Sequence, residues 1–168
     1  MVLALVVIAA LSTPAVVPAS APMSAVLAAA EATWTWPVVG PIVVAFDPPD
    51  SPYGTGHRGI DVAAALGTEV LAPADGVVTF AGPVGGRLFV TLDHGGGVLS
   101  TSSFLSNVTV RRGDVVSAGQ VVGSSGSGHT GSPVPVLHFS VRIDDVYVDP
   151  MSYLPMPDPS AWLRLAPV

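Results

Sequence analysis

The chain contains no cysteine and no lysine. Without cysteine there is no disulfide, no thiolate metal ligand, no cysteine nucleophile and no lipid-modified N-terminal cysteine. Without lysine there is no side-chain amine on which a carrier domain could be loaded; all six basic residues are arginine. Charge of either sign is scarce, at 11% of residues, and the balance is −6. That balance argues against a nucleic-acid partner. The apolar run Val2–Leu11 is shorter than the roughly 20 residues that span a bilayer. What fills the 168 residues is apolar side chain (49%), glycine (18) and proline (17). This mixture favours many short strands and turns over long helices, in a chain long enough for one domain with a sizeable core.

Residues 1–32 read as a signal peptide, with a retained N-terminal anchor as the alternative. Val2–Leu11 is the apolar core, Pro14 and Pro18 interrupt the segment after it, and small residues lead to a cleavage point near Ala30 or Ala32, although no positive residue precedes the run. A secreted or cell-wall-associated location is therefore expected. The domain proper spans residues 33–155, followed by a proline-rich tail over 156–168 with a short helix predicted at Ala161–Leu165. Within the domain, β-branched segments alternate with turn signals: Ile42–Phe46, Glu69–Leu71, Val77–Ala81, Arg87–Leu92, Val98–Thr101, Val108–Val110, Val121–Val122, Val136–Ile143 and Val146–Val148. The pattern predicts an all-β fold, an antiparallel sandwich or open barrel with its chemistry on loops at one end. Gly67–Val78 and Gly113–Gly123 echo one another.

His57 and Asp61 stand in Gly56-His57-Arg58-Gly59-Ile60-Asp61, and His138 in Val136-Leu137-His138-Phe139. Two imidazoles and a carboxylate can hold a zinc ion while leaving a fourth position open. From about Trp36 to Leu154 the chain resembles the lysostaphin-type (LytM-type) peptidoglycan metalloendopeptidases. His57 to Asp61 matches that family's His-x-x-x-Asp motif. Gly67–Val70 and Asp75–Val78 match the strands after it, Asp93–Gly97 a hairpin turn, and Val115–Gly126 the approach to the last motif. Leu137–Arg142 matches the His-x-His strand except at its first histidine. The resemblance implies a β-rich fold of the duplicated hybrid motif type, a zinc site made by His57, Asp61 and His138, and hydrolysis of peptide bonds in bacterial cell-wall peptidoglycan.

Two positions depart from that pattern. Val136 stands where the first histidine of His-x-His would be, and Phe104 where the family's Tyr-x-His-Leu segment carries a second catalytic histidine. Neither valine nor phenylalanine can accept a proton, and a general acid or base contributes roughly 10²–10⁴-fold. His129, in the glycine-rich stretch before the last strand, is the first candidate to substitute; the competing reading is a solvated loop histidine. His94 reads as a turn residue that caps backbone groups. Arg58 reads equally as a substrate anchor and as a surface arginine. Asp75 and Asp93 read as turn formers, and Trp34 and Trp36 as cover for the sheet more than as a carbohydrate-stacking edge. Two functions are compatible with these residues. One is an exported zinc endopeptidase with altered catalysis. The other is a non-catalytic, zinc-retaining domain that binds the wall or regulates another wall hydrolase.

Overall fold

The computed structural model describes residues 34–51, 54–129 and 132–156. Ten strands join in one antiparallel sheet: β1 (Ile42–Val44), β2 (Ile60–Ala63), β3 (Glu69–Leu71), β4 (Gly76–Val84), β5 (Arg87–Asp93), β6 (Val98–Val108), β7 (Val115–Val116), β8 (Val121–Ser125), β9 (Val136–Ile143) and β10 (Val146–Val148). The main path runs β1-β2-β9-β6-β5-β4-β7, with β10 on β9 and a β8–β3 branch on β6. The path does not close on itself, so the expected all-β antiparallel architecture takes its open form. One 3-10 turn, Pro150–Ser152, comes after β10, with Asp149 accepting from the Met151 amide as its cap. Among the described residues no helix is long and apolar enough to cross a membrane. The predicted helix at Ala161–Leu165 and the segment 1–32 lie outside the described residues.

β9 organises the molecule. Leu137, Phe139 and Val141 are fully buried in the core with Ile60, Val62, Val70, Val78, Val90 and Val122. Burying each such side chain stabilises the fold by about 1.5–3 kcal/mol. Because successive side chains on a strand alternate between faces, His138, Ser140 and Arg142 share the opposite face. β2 pairs with β9 in the register Asp61↔His138, and β6 pairs with it in the register Ser103↔His138. Three strands distant in sequence are thereby aligned on one histidine.

Three elements differ from the expected pattern. β7, only two residues long, has no counterpart among the expected segments, and neither has β2. Its four residues include a buried aspartate, so no alternation of apolar and polar residues announces it. β6 is one strand of 11 residues where two short ones are expected. Its middle is serine-rich, and only cross-strand pairing reveals it. Phe104 breaks this strand with φ of 63°, a left-handed conformation unfavourable for a bulky residue. Pairing with β9 ends at Ser103, and pairing with β8 begins at Leu105.

The assignment of His94 to a capping role holds. Its Nδ1 lies 2.7 Å from the Asp75 carbonyl, its Nε2 2.8 Å from the Ser100 hydroxyl, and its ring 4.6 Å from that of buried Trp34. Asp75 also accepts from the Ala118 amide, and Asp93 from the Gly95 amide. Trp36 donates to the Pro155 carbonyl, so both tryptophans cover the sheet. Burial depresses the His94 pKa below 6.5, against the weaker raising effect of the Asp75 carbonyl and the Asp93 and Asp75 charges. A depressed histidine contributes stability that is full above its unfolded pKa and is lost as pH falls from 6.5 through the folded value. The melting temperature is therefore expected to drop between pH 7.5 and pH 5.5. In His94→Gln, less stable by about 1–3 kcal/mol for the lost buried hydrogen bonds, the drop should be shallower; equal slopes would refute the assignment.

Candidate metal centre

Gly59 explains the spacing of the first motif. A side chain there would meet the Phe139 carbonyl and the His138 ring, so only glycine lets the chain turn from His57 into β2 against β9. His57 is anchored separately: its Nδ1 lies 2.8 Å from the Ala45 carbonyl. With that nitrogen donating its proton, Nε2 is left with a free lone pair, the usual arrangement behind a metal-ligating histidine. His57 Nε2 lies 3.1 Å from Asp61 Oδ1 and 3.1 Å from His138 Nδ1, and the last two atoms are 2.9 Å apart. His129 Nε2 lies 2.6 Å from the other carboxylate oxygen, Asp61 Oδ2. Ligand atoms of the four residues all fall within 4.8 Å of one another.

The three ligand residues named from the sequence are thus brought together, and so is His129. Zinc bonds of about 2.0–2.2 Å in tetrahedral array set ligand atoms somewhat over 3 Å apart, close to this triangle. Two imidazole nitrogens facing each other at 3.1 Å need a proton or a cation between them, and a divalent ion of borderline hardness suits the nitrogen and oxygen donors. Asp61 is wholly buried. Burial alone would raise its pKa, but the His138 hydrogen bond and the charges of His138, His57 and His129 outweigh it and hold the carboxyl below its ordinary value of 3.8. It is therefore an anion at neutral pH.

Val136 shares a strand face with His138 but does not reach the groove. It is fully buried beneath the loop that carries His129. Gly128, at φ 76°, lies directly on it, and a side chain at 128 would collide with Val136. The loop thus crosses above position 136 and delivers His129 to the centre instead. Two contacts hold it there. Arg87 donates from Nη1 to the Gly128 carbonyl at 2.6 Å, and its guanidinium lies 5.4 Å from the centre of the Phe104 ring. Phe104 in turn packs 5.6 Å from the His129 ring and 6.1 Å from that of His138. The Arg87–Phe104 clamp has no signature in the sequence, since nothing in the local pattern links residue 87 to residue 128. Arg58 has its Nη2 3.4 Å from the Gly54 carbonyl.

From this centre a groove of about 470 Å³ runs along the sheet. Ser103, Thr101, Thr91 and Ser140 give it hydroxyls, Phe80, Phe89 and Phe104 apolar walls, and Arg142 and Tyr147 its far end. An open, mixed groove of this kind fits an extended chain better than a compact small molecule.

Comparison with known proteins agrees with this geometry. Residues 55–150 match the family described as Peptidase family M23. The chain is 34% identical over 125 residues to the murein hydrolase activator NlpD of Escherichia coli, covering 73% of this chain and 31% of that protein. It is 36% identical over 140 residues to an uncharacterized protein of Mycobacterium tuberculosis, covering 79% of this chain and 54% of that one. The chain therefore spans about a third to a half of the curated relatives it matches. Among solved structures it resembles the catalytic domain of lysostaphin from Staphylococcus simulans (TM-score 0.60, 29% identity, 68% of this chain and 91% of that one). It also resembles a zinc-containing peptidase from Vibrio cholerae (TM-score 0.63, 27% identity, 73% of this chain and 41% of that one).

Proposed function

The chain belongs to peptidase family M23, and from that premise we propose that it is an exported zinc endopeptidase acting on the peptides of bacterial peptidoglycan, with His129 as its acid–base group. The observation that carries this reading is the placement of His129 on Asp61 Oδ2 while His57, Asp61 Oδ1 and His138 converge on one point. Residues 1–32 are taken as the signal peptide or anchor that directs export.

His57, Asp61 and His138 would hold the zinc, which when bound polarises a carbonyl and lowers the pKa of water toward about 7. The rest falls to the chain. The groove binds the peptide extended, with Phe104 and Phe89 excluding solvent beside the scissile bond. His129, its Nε2–H donated to Asp61 Oδ2, has Nδ1 left to take a proton from the attacking water and later return it to the leaving amine. Asp61 Oδ2 stabilises the imidazolium between those steps. Arg87 and Phe104 keep the imidazole in place, which matters because a displacement of about 1 Å can cost 10²-fold.

A second reading has its own support. Were His129 a fourth metal ligand, the centre would be closed, as structural zinc sites are. Phe104 and Val136 supply no base, and one relative is named as a murein hydrolase activator. The domain would then bind the wall or another wall hydrolase without cutting. The deciding experiment is hydrolysis of purified peptidoglycan by the full zinc-loaded chain, with His138→Ala as the blank and metal content measured in both. Cutting that disappears in the variant supports the peptidase. A full equivalent of zinc without cutting selects the regulatory reading.

A further inference from the structure

The groove does more than admit a peptide; its far end carries a charge that the mechanism leaves unused. His138, Ser140 and Arg142 succeed one another on the groove face of β9. Four residues of strand separate the metal centre from Arg142, about 14 Å. The guanidinium has modest ties: a 3.5 Å contact with Asp145, which is 88% exposed, and the Tyr147 ring 5.7 Å away. Such an exposed pair contributes about 0–1 kcal/mol and yields readily to a better partner. The described lining of the groove contains two arginines and no carboxylate, in a chain whose net charge is −6. Arg58 lies beside the metal ligand His57; Arg142 marks the distal end alone.

We propose that Arg142 is a specificity residue: it anchors the carboxylate of an extended peptide whose other end lies at the metal centre, so the site prefers a peptide that ends in a free carboxylate about four residues' length away. The planar guanidinium can take such a carboxylate through two parallel hydrogen bonds. Ser140 and the Thr91–Thr101 pair, 3.0 Å apart, offer hydroxyls to the peptide backbone between the two ends. The inference rests on reading the groove as a peptide site but not on turnover.

The test is binding, measured by fluorescence anisotropy with the zinc-loaded full chain. The probes are a dye-labelled peptidoglycan stem tetrapeptide as free acid and the same peptide as C-terminal amide. The wild type should bind the acid at least about tenfold more tightly. The ratio should fall to near one in Arg142→Gln and be only partly kept in Arg142→Lys, which supplies the charge without the planar fork. Asp145→Asn removes only the exposed competitor and should tighten the acid about twofold to threefold while leaving the amide unchanged. This arm stands even if Arg142→Gln fails to fold. A preference that persists in Arg142→Gln places the carboxylate on the metal or elsewhere and overturns the proposal. Equal binding of both probes by the wild type, or binding of neither, overturns it too. Absence of peptidoglycan cutting with the acid preference intact defeats the catalytic reading and leaves this one standing.

Discussion

Replacing His129 by alanine is expected to lower peptidoglycan hydrolysis by about 10²–10⁴-fold while zinc content stays near one equivalent. The expectation comes from the two oxygens of Asp61. Oδ1 lies against His57 and His138, while among the described residues His129 engages Oδ2. Removing the 129 imidazole would therefore take away the proposed proton carrier and leave the His57–Asp61–His138 triangle intact. The side chain is 37% exposed, so its loss should leave the core undisturbed. Zinc quantified on the purified variant beside its turnover rate separates the two roles available to this residue. If zinc falls away with activity, His129 is a ligand and the centre is the closed kind. A histidine written into position 136 should not rescue the variant. That position lies beneath Gly128 and away from the groove, and forcing a larger ring into it costs about 1–3 kcal/mol through overpacking.

Asp61→Ala should have the larger effect on the metal. The carboxylate touches all three histidines and is completely buried. Its loss removes one ligand and the only negative charge in the cluster. Loss even of a residue that merely supports a ligand costs 10–100-fold in metal affinity, so removing the ligand itself should cost more than about 100-fold. Hydrolysis should vanish with the zinc. Stability should fall as well, by about 1–3 kcal/mol, because the histidine rings would lose their buried hydrogen-bond partner. Zinc titration with a competing chelator reads the first quantity and chemical denaturation the last. Tight zinc retained in Asp61→Ala would remove Asp61 from the ligand set.

The elements differ in how plainly the sequence announces them. The strands whose β-branched residues lie between glycine and proline turns could be read directly, as at Arg87–Asp93 and Val136–Ile143. β2 could not, because a strand buried on both faces and carrying a ligand aspartate has no period to detect. The positions of His57, Asp61 and His138 came from an ordered motif, and the structure brings those residues together. What sequence could not supply was the path of the loop at 126–129. Whether a glycine-rich segment carries a histidine into a site or out to solvent depends on what it rests upon. Here it rests on Val136, a small apolar residue that gives the loop a seat, with Arg87 fastening it from a strand about 40 positions earlier. Likewise the left-handed backbone at Phe104 is set by the change of partner strand along β6, a tertiary fact with no local signature.

The register that aligns β2, β9 and β6 also fixes when the metal centre can come into being. His57 and His138 are 81 residues apart, and their meeting requires the β2–β9 ladder, one of the most non-local pairings in the chain. Loop closure over such a span comes late, after local hairpins such as β4–β5 and β5–β6 have formed. A chain still emerging in N-to-C order offers a cation His57 and Asp61 but not the third donor, so it holds no competent centre. Capture of a metal ion there would therefore belong to the finished domain. A bound ion would act as a latch, stabilising the native state in proportion to the logarithm of its free concentration relative to its dissociation constant. The same topology that delays the site's assembly would make its occupancy a report on whether the domain has folded.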